Sequence, residues 1–316
     1  MIPISLPLLI KILFPLLLFL AGFVLAKSVR NLDIQTLAAC CLFIFLPALL
    51  FRQAQSITFT ETGWLQIIEF KLIHTLVLYL VMKGIFYWQQ VPALQQNVYF
   101  VNIFVVSTFA LQGIQPFMGE PAQAVPMIRV LMLFHLLVFI TLGIYFSYSL
   151  RPVWRRMLYL LQTPFLYTLA AGLWVAQLAI DMPFEILSLI DALLNTTFHL
   201  ALIICGLIGG MHFTWQQNGF PLKTGLLYCL GGRLLLSPLV AVLLVLCMNI
   251  ESVLLQRDLI LASAVPTGSF AAVLTTYYGS PSESRFTVIC ILCSIILSFI
   301  TFLLWLLLLN YFMPLS

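Results

Sequence analysis

Along this chain, stretches of almost unbroken apolar residues alternate with short polar breaks, and the stretches are too long and too evenly apolar for strands or one-faced amphipathic helices. Marking the runs predicts ten helices, at residues 6–27, 33–52, 64–88, 97–117, 123–148, 157–179, 184–210, 222–248, 254–278 and 286–313. Because a span needs about 20 apolar residues, the pattern describes an all-α polytopic membrane protein. The breaks carry turn residues, as in Lys27 to Asn31, Thr58 to Gly63, Gly119-Glu120-Pro121, Arg151 to Arg156, Gln216 to Pro221 and Gly279 to Glu283. They are short, so neighbouring helices run mostly antiparallel. The first run, Leu6 to Ala26, is longer than a signal-peptide core, is interrupted by Lys11 and Pro15 and lacks a clear cleavage site, so it reads as a retained span.

Composition sharpens this picture. Of 316 residues, 63% are hydrophobic and 8% charged, against roughly 25% charged in a soluble domain, and the mean hydropathy is +1.12. Large soluble domains and long polar linkers are excluded. The net charge of +4 is small and sits mainly on one side, so it reports orientation and not nucleic-acid binding. Loops 1, 3, 5, 7 and 9 hold Lys27, Arg30, Lys83, Arg151, Arg155, Arg156, Lys223 and Arg285, whereas the other side holds Arg52, Arg129 and Arg257. The positive-inside rule then makes the odd loops cytoplasmic, with both termini non-cytoplasmic, in an integral plasma (inner) membrane protein. The seven cysteines all fall in apolar runs and suggest neither disulfides nor a metal cage.

The Arg151, Arg155, Arg156 cluster lies near the midpoint of the chain, which divides it into two five-helix halves, 1–150 and 151–316. Five is odd, so the second half inserts upside down, the inverted-repeat logic of secondary transporters. Three pairs support this at about half a chain's separation: Pro15 with Pro164, Lys71 with Arg233, and Pro116 with Pro266.

The fourth and ninth runs stand apart. Ser107-Thr108-Phe109-Ala110-Leu111-Gln112-Gly113-Ile114-Gln115-Pro116 and Ser263-Ala264-Val265-Pro266-Thr267-Gly268-Ser269-Phe270 concentrate Ser, Thr, Gln, Gly and Pro inside otherwise apolar segments. Proline removes a backbone donor and clashes with the preceding turn, and bare backbone at membrane depth is tolerated only against protein or a watery cavity. Both runs therefore read as broken helices whose half-helix ends offer partial charges to a ligand, though close packing of small residues is the plainer alternative. The crossover backbone would be Gly113, Pro116, Pro266 and Gly268, with Thr108, Gln112, Gln115, Thr267 and Ser269 as candidate substrate contacts.

Together with Phe14-Pro15 to Gly22, Phe45-Leu46-Pro47-Ala48-Leu49-Leu50-Phe51, Arg233 with Ser237-Pro238, Ala264-Val265-Pro266 to Ala271-Ala272, and Tyr277-Tyr278-Gly279, these residues make the chain resemble the auxin efflux carrier family of membrane transporters over essentially its whole length. The resemblance implies ten spans in two inverted repeats, crossing of the broken fourth and ninth spans, and transport of organic anions. In bacterial members these are often small carboxylates such as malate or malonate. The family's fourth span commonly reads Asn-x-Gly-x-x-Gly-x-Pro; here Thr108, Ala110, Gly113 and Gln115 take those places and Pro116 comes one late, so the motif is degenerate.

Ionisable residues inside a span cost at least ~2.5–3.5 kcal/mol each on insertion scales and so need a reason. Arg233, in the middle of the eighth run, could hold a carboxylate through two parallel hydrogen bonds or pair with helix-end carbonyls. Lys71 and His74 share a face of the third helix, and Glu69 lies nearly opposite Lys71. Glu69, His74, Asp191 and Asn195 are candidates for ion coupling, with interfacial solvation the simpler account of Glu69; His135 and His199 read as core histidines.

No enzyme constellation is present: HExxH, GxSxG and Gly-rich phosphate loops are all missing. The reading is a secondary active carrier of small organic anions by alternating access, with a channel or membrane sensor as the alternative. No cofactor is expected and the coupling ion is sodium or a proton. The expected partners are the anion and the lipid bilayer, with a homodimer allowed and no nucleic acid.

Overall fold

The computed structural model describes residues 6–29, 32–56, 64–114, 121–147, 152–178, 180, 182–212, 221–248, 250 and 252–313. The protein is all-α. Its helices are α1 (Leu6–Ser28), α2 (Ile34–Gln55), α3 (Trp64–Trp88), α4 (Ala93–Phe104), α5 (Thr108–Gly113), α6 (121–147), α7 (Val153–Gln162), α8 (Pro164–Gln177), α9 (Phe184–His212), α10 (Leu222–Cys247), α11 (Val253–Ser263), α12 (Phe270–Tyr278) and α13 (Pro281–Phe312). Among the described residues, five helices are long and apolar enough to cross a membrane: α2, α3, Met127–Ser147 of α6, α10 and α13. The pair α7 and α8, bent by 47° at Thr163-Pro164, makes up to six. The chain is thus a multi-pass integral membrane protein.

Ten spans are expected from the sequence, and among the described residues five, or six with the bent pair, meet the length and hydropathy of a span; two of the expected ones are broken. The fourth and ninth segments are interrupted, into pieces of 12 and 6 and of 11 and 9 residues, none long enough to cross alone. The bend between α7 and α8 likewise follows from Pro164, which cannot donate to the preceding turn. Among the described residues, three helices also carry a widened π turn, at Cys41–Phe45, Phe139–Gly143 and Gly231–Leu236. Two of these precede a proline, Pro47 and Pro238, whose missing N–H frees a carbonyl one turn back. For Pro238 that carbonyl is Leu234 O, and Trp305 Nε1 on α13 donates to it at 3.3 Å. The π turn that carries Arg233 is therefore anchored from outside its own helix.

The helices pack in two groups. In one, α1 lies against α9, and α2 against α8 and α9. The α1–α9 contact is backbone on backbone: a Cβ on Gly206 would sit 2.0 Å from Phe19 O. The other group brings α3, α4, α6, α10, α11 and α13 together around buried aromatic residues, among them Phe86, Tyr99, Phe100, Phe146 and Phe286. Lipid tails are as apolar as leucine, so such groups are held by close packing and internal hydrogen bonds more than by hydrophobic exclusion.

The glycine contact is directly testable. Gly206→Val should lower the apparent melting temperature of the purified protein, at an overpacking cost of about 1–3 kcal/mol, whereas Gly84→Ala, where nothing lies within 4 Å, should leave it unchanged. Equal behaviour of the two variants in a melting assay would contradict the packing described.

Candidate functional site: a backbone crossing beside buried cations

The two interrupted segments meet. Between α4 and α5, and between α11 and α12, the chain is extended, and the two stretches run antiparallel with Val106 opposite Thr267. Ser107 N donates to Pro266 O at 3.0 Å and Gly268 N to Val105 O at 2.8 Å. The approach is so close that a Cβ on Gly268 would lie 2.4 Å from Val106 O, which restricts this position to glycine. Thr267 Oγ1 donates to Asn102 O at 2.8 Å. The residue types that mark these segments in the sequence thus serve backbone contact directly at Pro266, Thr267 and Gly268.

Behind the crossing lies a cavity lined by Lys71, His74, Thr75 and Leu78 of α3, Phe104 and Val106 at the first break, Phe134, His135 and Val138 of α6, and Arg233 of α10. Its volume, about 20 Å³, is room for about one water. Arg233 is 3% exposed. Its Nε donates to Val265 O at 2.7 Å and its Nη1 to Ile103 O at 3.4 Å, while Nη2 is buried without a partner. Two of the three nitrogens therefore neutralise the carbonyl ends of the half-helices α4 and α11, where the dipole is negative.

Lys71 is different. It is 1% exposed, and its Nζ donates to Ser263 Oγ at 2.8 Å, a neutral acceptor. Ser237 Oγ donates to Ser263 O at 2.9 Å, and His74 Nε2 lies 2.9 Å from Ser237 O. A carbonyl only accepts, so His74 carries its proton on Nε2; by the same argument His135, with Nδ1 2.7 Å from Leu131 O, carries its proton on Nδ1. These bonds tie α3, α10 and α11 around the cavity. Among the described residues, no aspartate or glutamate lines it. Two basic side chains thus share a buried site in which backbone carbonyls meet Arg233, a serine hydroxyl meets Lys71, and no carboxylate among the described residues lines the cavity.

The remaining sequence candidates fall elsewhere. Thr108 is buried at the start of α5, and Ser269 is half-buried just before α12. Gln112 and Gly113 belong to α5 and Asn195 to α9 as backbone, while Gln115 and Pro116 lie outside the described residues. Glu69 is exposed on the face of α3 away from Lys71. Asp191 is held by Arg52, with Nε at 2.7 Å and Nη2 at 3.1 Å from its two oxygens, so its carboxylate is already neutralised. The site thus gathers Arg233, His74 and the crossing residues, but neither Glu69 nor Asp191.

Sequence reasoning missed three members. Lys71 is noticed as the half-chain counterpart of Arg233 and as a companion of His74 but not as a site residue, His135 only as a core histidine, and Ser263 only as part of the polar ninth run. Their spacing gave no signal, because the contacts that join them span as many as 192 positions of the chain. No protein-family model and no curated protein matches the chain.

Lys71 offers a test whose sign is informative. Removing one partner of a buried ion pair costs about 3–5 kcal/mol, but Lys71 has no carboxylate partner to orphan. Lys71→Met, which keeps the side-chain length, should therefore raise the apparent melting temperature of the ligand-free protein. A large fall would show that Lys71 is held by an acidic group.

Proposed function

We propose that this protein is a secondary carrier of small organic anions, carboxylates such as malate or malonate, working by alternating access at the crossing. One observation carries the reading: the amine of Lys71 is buried beside the crossing in a cavity also lined by Arg233 and two histidines, and among the described residues no acidic residue lines it. An uncompensated buried charge is expensive, and in membrane proteins such residues mark substrate or ion pathways. An anion supplies the missing charge. Lys71 Nζ and the free Arg233 Nη2 are its two charged donors, with Thr75 lining the same cavity.

The cavity's size favours a carrier over an open conduit. A space of about 20 Å³ cannot hold a dicarboxylate, so binding requires the helices around it to part. The two packing groups, α1, α2, α8 and α9 on one side and α3, α4, α6, α10, α11 and α13 on the other, are the bodies that would rock against each other. Lys71 on the third helical segment and Arg233 on the eighth meet at one site, as do the breaks in the fourth and ninth, which supports two inverted halves, 1–150 and 151–316. The resemblance to the auxin efflux carriers points to the same solute class and to ten spans with both termini non-cytoplasmic. Nothing in the chain resembles a nucleotide-binding loop, so a solute or ion gradient would drive the cycle.

The test is ligand-induced stabilisation across mono- and dicarboxylates, indole acids and steroid acids. At a hundredfold excess over Kd a ligand stabilises by about 2.7 kcal/mol, which corresponds to a rise of about 5 °C in a protein of this size. One carboxylate class should produce that rise in the wild type and none in Lys71→Met, which remains folded. Equal stabilisation of both proteins would remove Lys71 from the site, and no response to any organic anion would remove the reading.

A further inference from the structure

In carriers with interrupted helices, unwound carbonyls and the negative half-helix ends are where a coupling cation is coordinated. Here six carbonyls at and beside the two breaks meet protein donors. Arg233 takes Val265 O and Ile103 O, Thr267 Oγ1 takes Asn102 O, Ser237 Oγ takes Ser263 O, and the crossing amides of Gly268 and Ser107 take Val105 O and Pro266 O. The guanidinium links α4, through Ile103 O, to the break that follows α11, through Val265 O. It is set there by the π turn Gly231–Leu236, whose released Leu234 carbonyl is held by Trp305.

We propose that Arg233 is a built-in counter-cation, seated between the carbonyl ends of α4 and α11 in the place a coupling sodium ion would occupy, so that the crossing works without sodium. A sodium ion at this place would have to displace the guanidinium from Val265 O and Ile103 O. It would also be repelled by the guanidinium in a medium of low dielectric, where charge interactions are several times stronger than in water. Removing the side chain should then uncover a latent site for a monovalent cation. The assignment stands on the crossing geometry; only its consequence for energy coupling rests on the carrier reading above.

The experiment measures the apparent melting temperature of the purified full-length protein in sodium, potassium and choline chloride at equal ionic strength. Wild type, Arg233→Ala and Arg233→Lys are compared, with methylguanidinium as a rescue probe. Wild type is expected to melt at one temperature in all three salts. Arg233→Ala should melt several degrees lower in choline and recover in sodium or in methylguanidinium. A sodium-dependent rise in wild type overturns the proposal, as does a folded Arg233→Ala that answers to neither probe. If Arg233→Ala does not fold, Arg233→Lys decides: it keeps the charge, so it should melt alike in sodium and choline, and a sodium response overturns the assignment.

Malonate added to wild type separates this proposal from the anion reading. Stabilisation by malonate in choline supports both. Stabilisation that requires sodium overturns the built-in cation and leaves the anion reading standing, whereas no malonate response in either salt counts against malonate as ligand and leaves the salt comparison to decide Arg233.

Discussion

The whole arrangement depends on one constraint: a backbone that leaves the helix inside a membrane must find partners for its polar groups within the protein. Two short extended stretches, one after Phe104 and one after Ser263, meet this constraint by bonding to each other through Ser107–Pro266 and Gly268–Val105. What the two stretches cannot supply is supplied by side chains, chiefly the guanidinium of Arg233 and the hydroxyls of Thr267 and Ser237. The crossing therefore dictates which residue types may stand nearby. Gly268 must lack a Cβ, and a donor with more than one arm must sit on α10.

Once Arg233 is committed to the carbonyl ends, the electrostatic character of the neighbouring cavity follows. Its charge is largely offset by the dipole ends it touches, but Lys71, bonded to a serine hydroxyl, brings a second charge that nothing lining the cavity offsets. A sequence under selection for stability alone would place a methionine or leucine there. On the proposed carrier reading the buried lysine is a binding group, held at a cost in stability of the kind that functional sites commonly carry.

How much of this was legible in the sequence depended on the range of the interaction. The third helix, 64–88, is read at its observed bounds, because an apolar run with polar ends is a local signal. The break at Pro266 and Gly268 is legible because proline and glycine stand out against apolar surroundings, whereas the crossing backbone of the fourth run, read at Gly113 and Pro116, lies instead at residues 105–107, with Gly113 helical in α5 and Pro116 outside the described residues. The opposition of Glu69 and Lys71 on α3 follows from helical periodicity alone, and the structure has the one exposed and the other buried. The register that sets Val106 against Thr267, and the fold that carries Lys71 to Ser263, depend on contacts more than a hundred residues apart. Local pattern does not encode them. The π turn under Arg233 shows the same limit: Pro238 signals a disturbed helix, but not that Trp305 stabilises it.

The central claim is that the buried positive charge beside the crossing exists to receive a carboxylate that moves across the membrane. Counterflow in proteoliposomes measures this most directly. Vesicles preloaded with unlabelled malonate or malate should transiently accumulate the labelled solute in wild type, with saturation, and should fail to do so with Lys71→Met. Unsaturable flux without accumulation, or accumulation undiminished in Lys71→Met, would contradict the account.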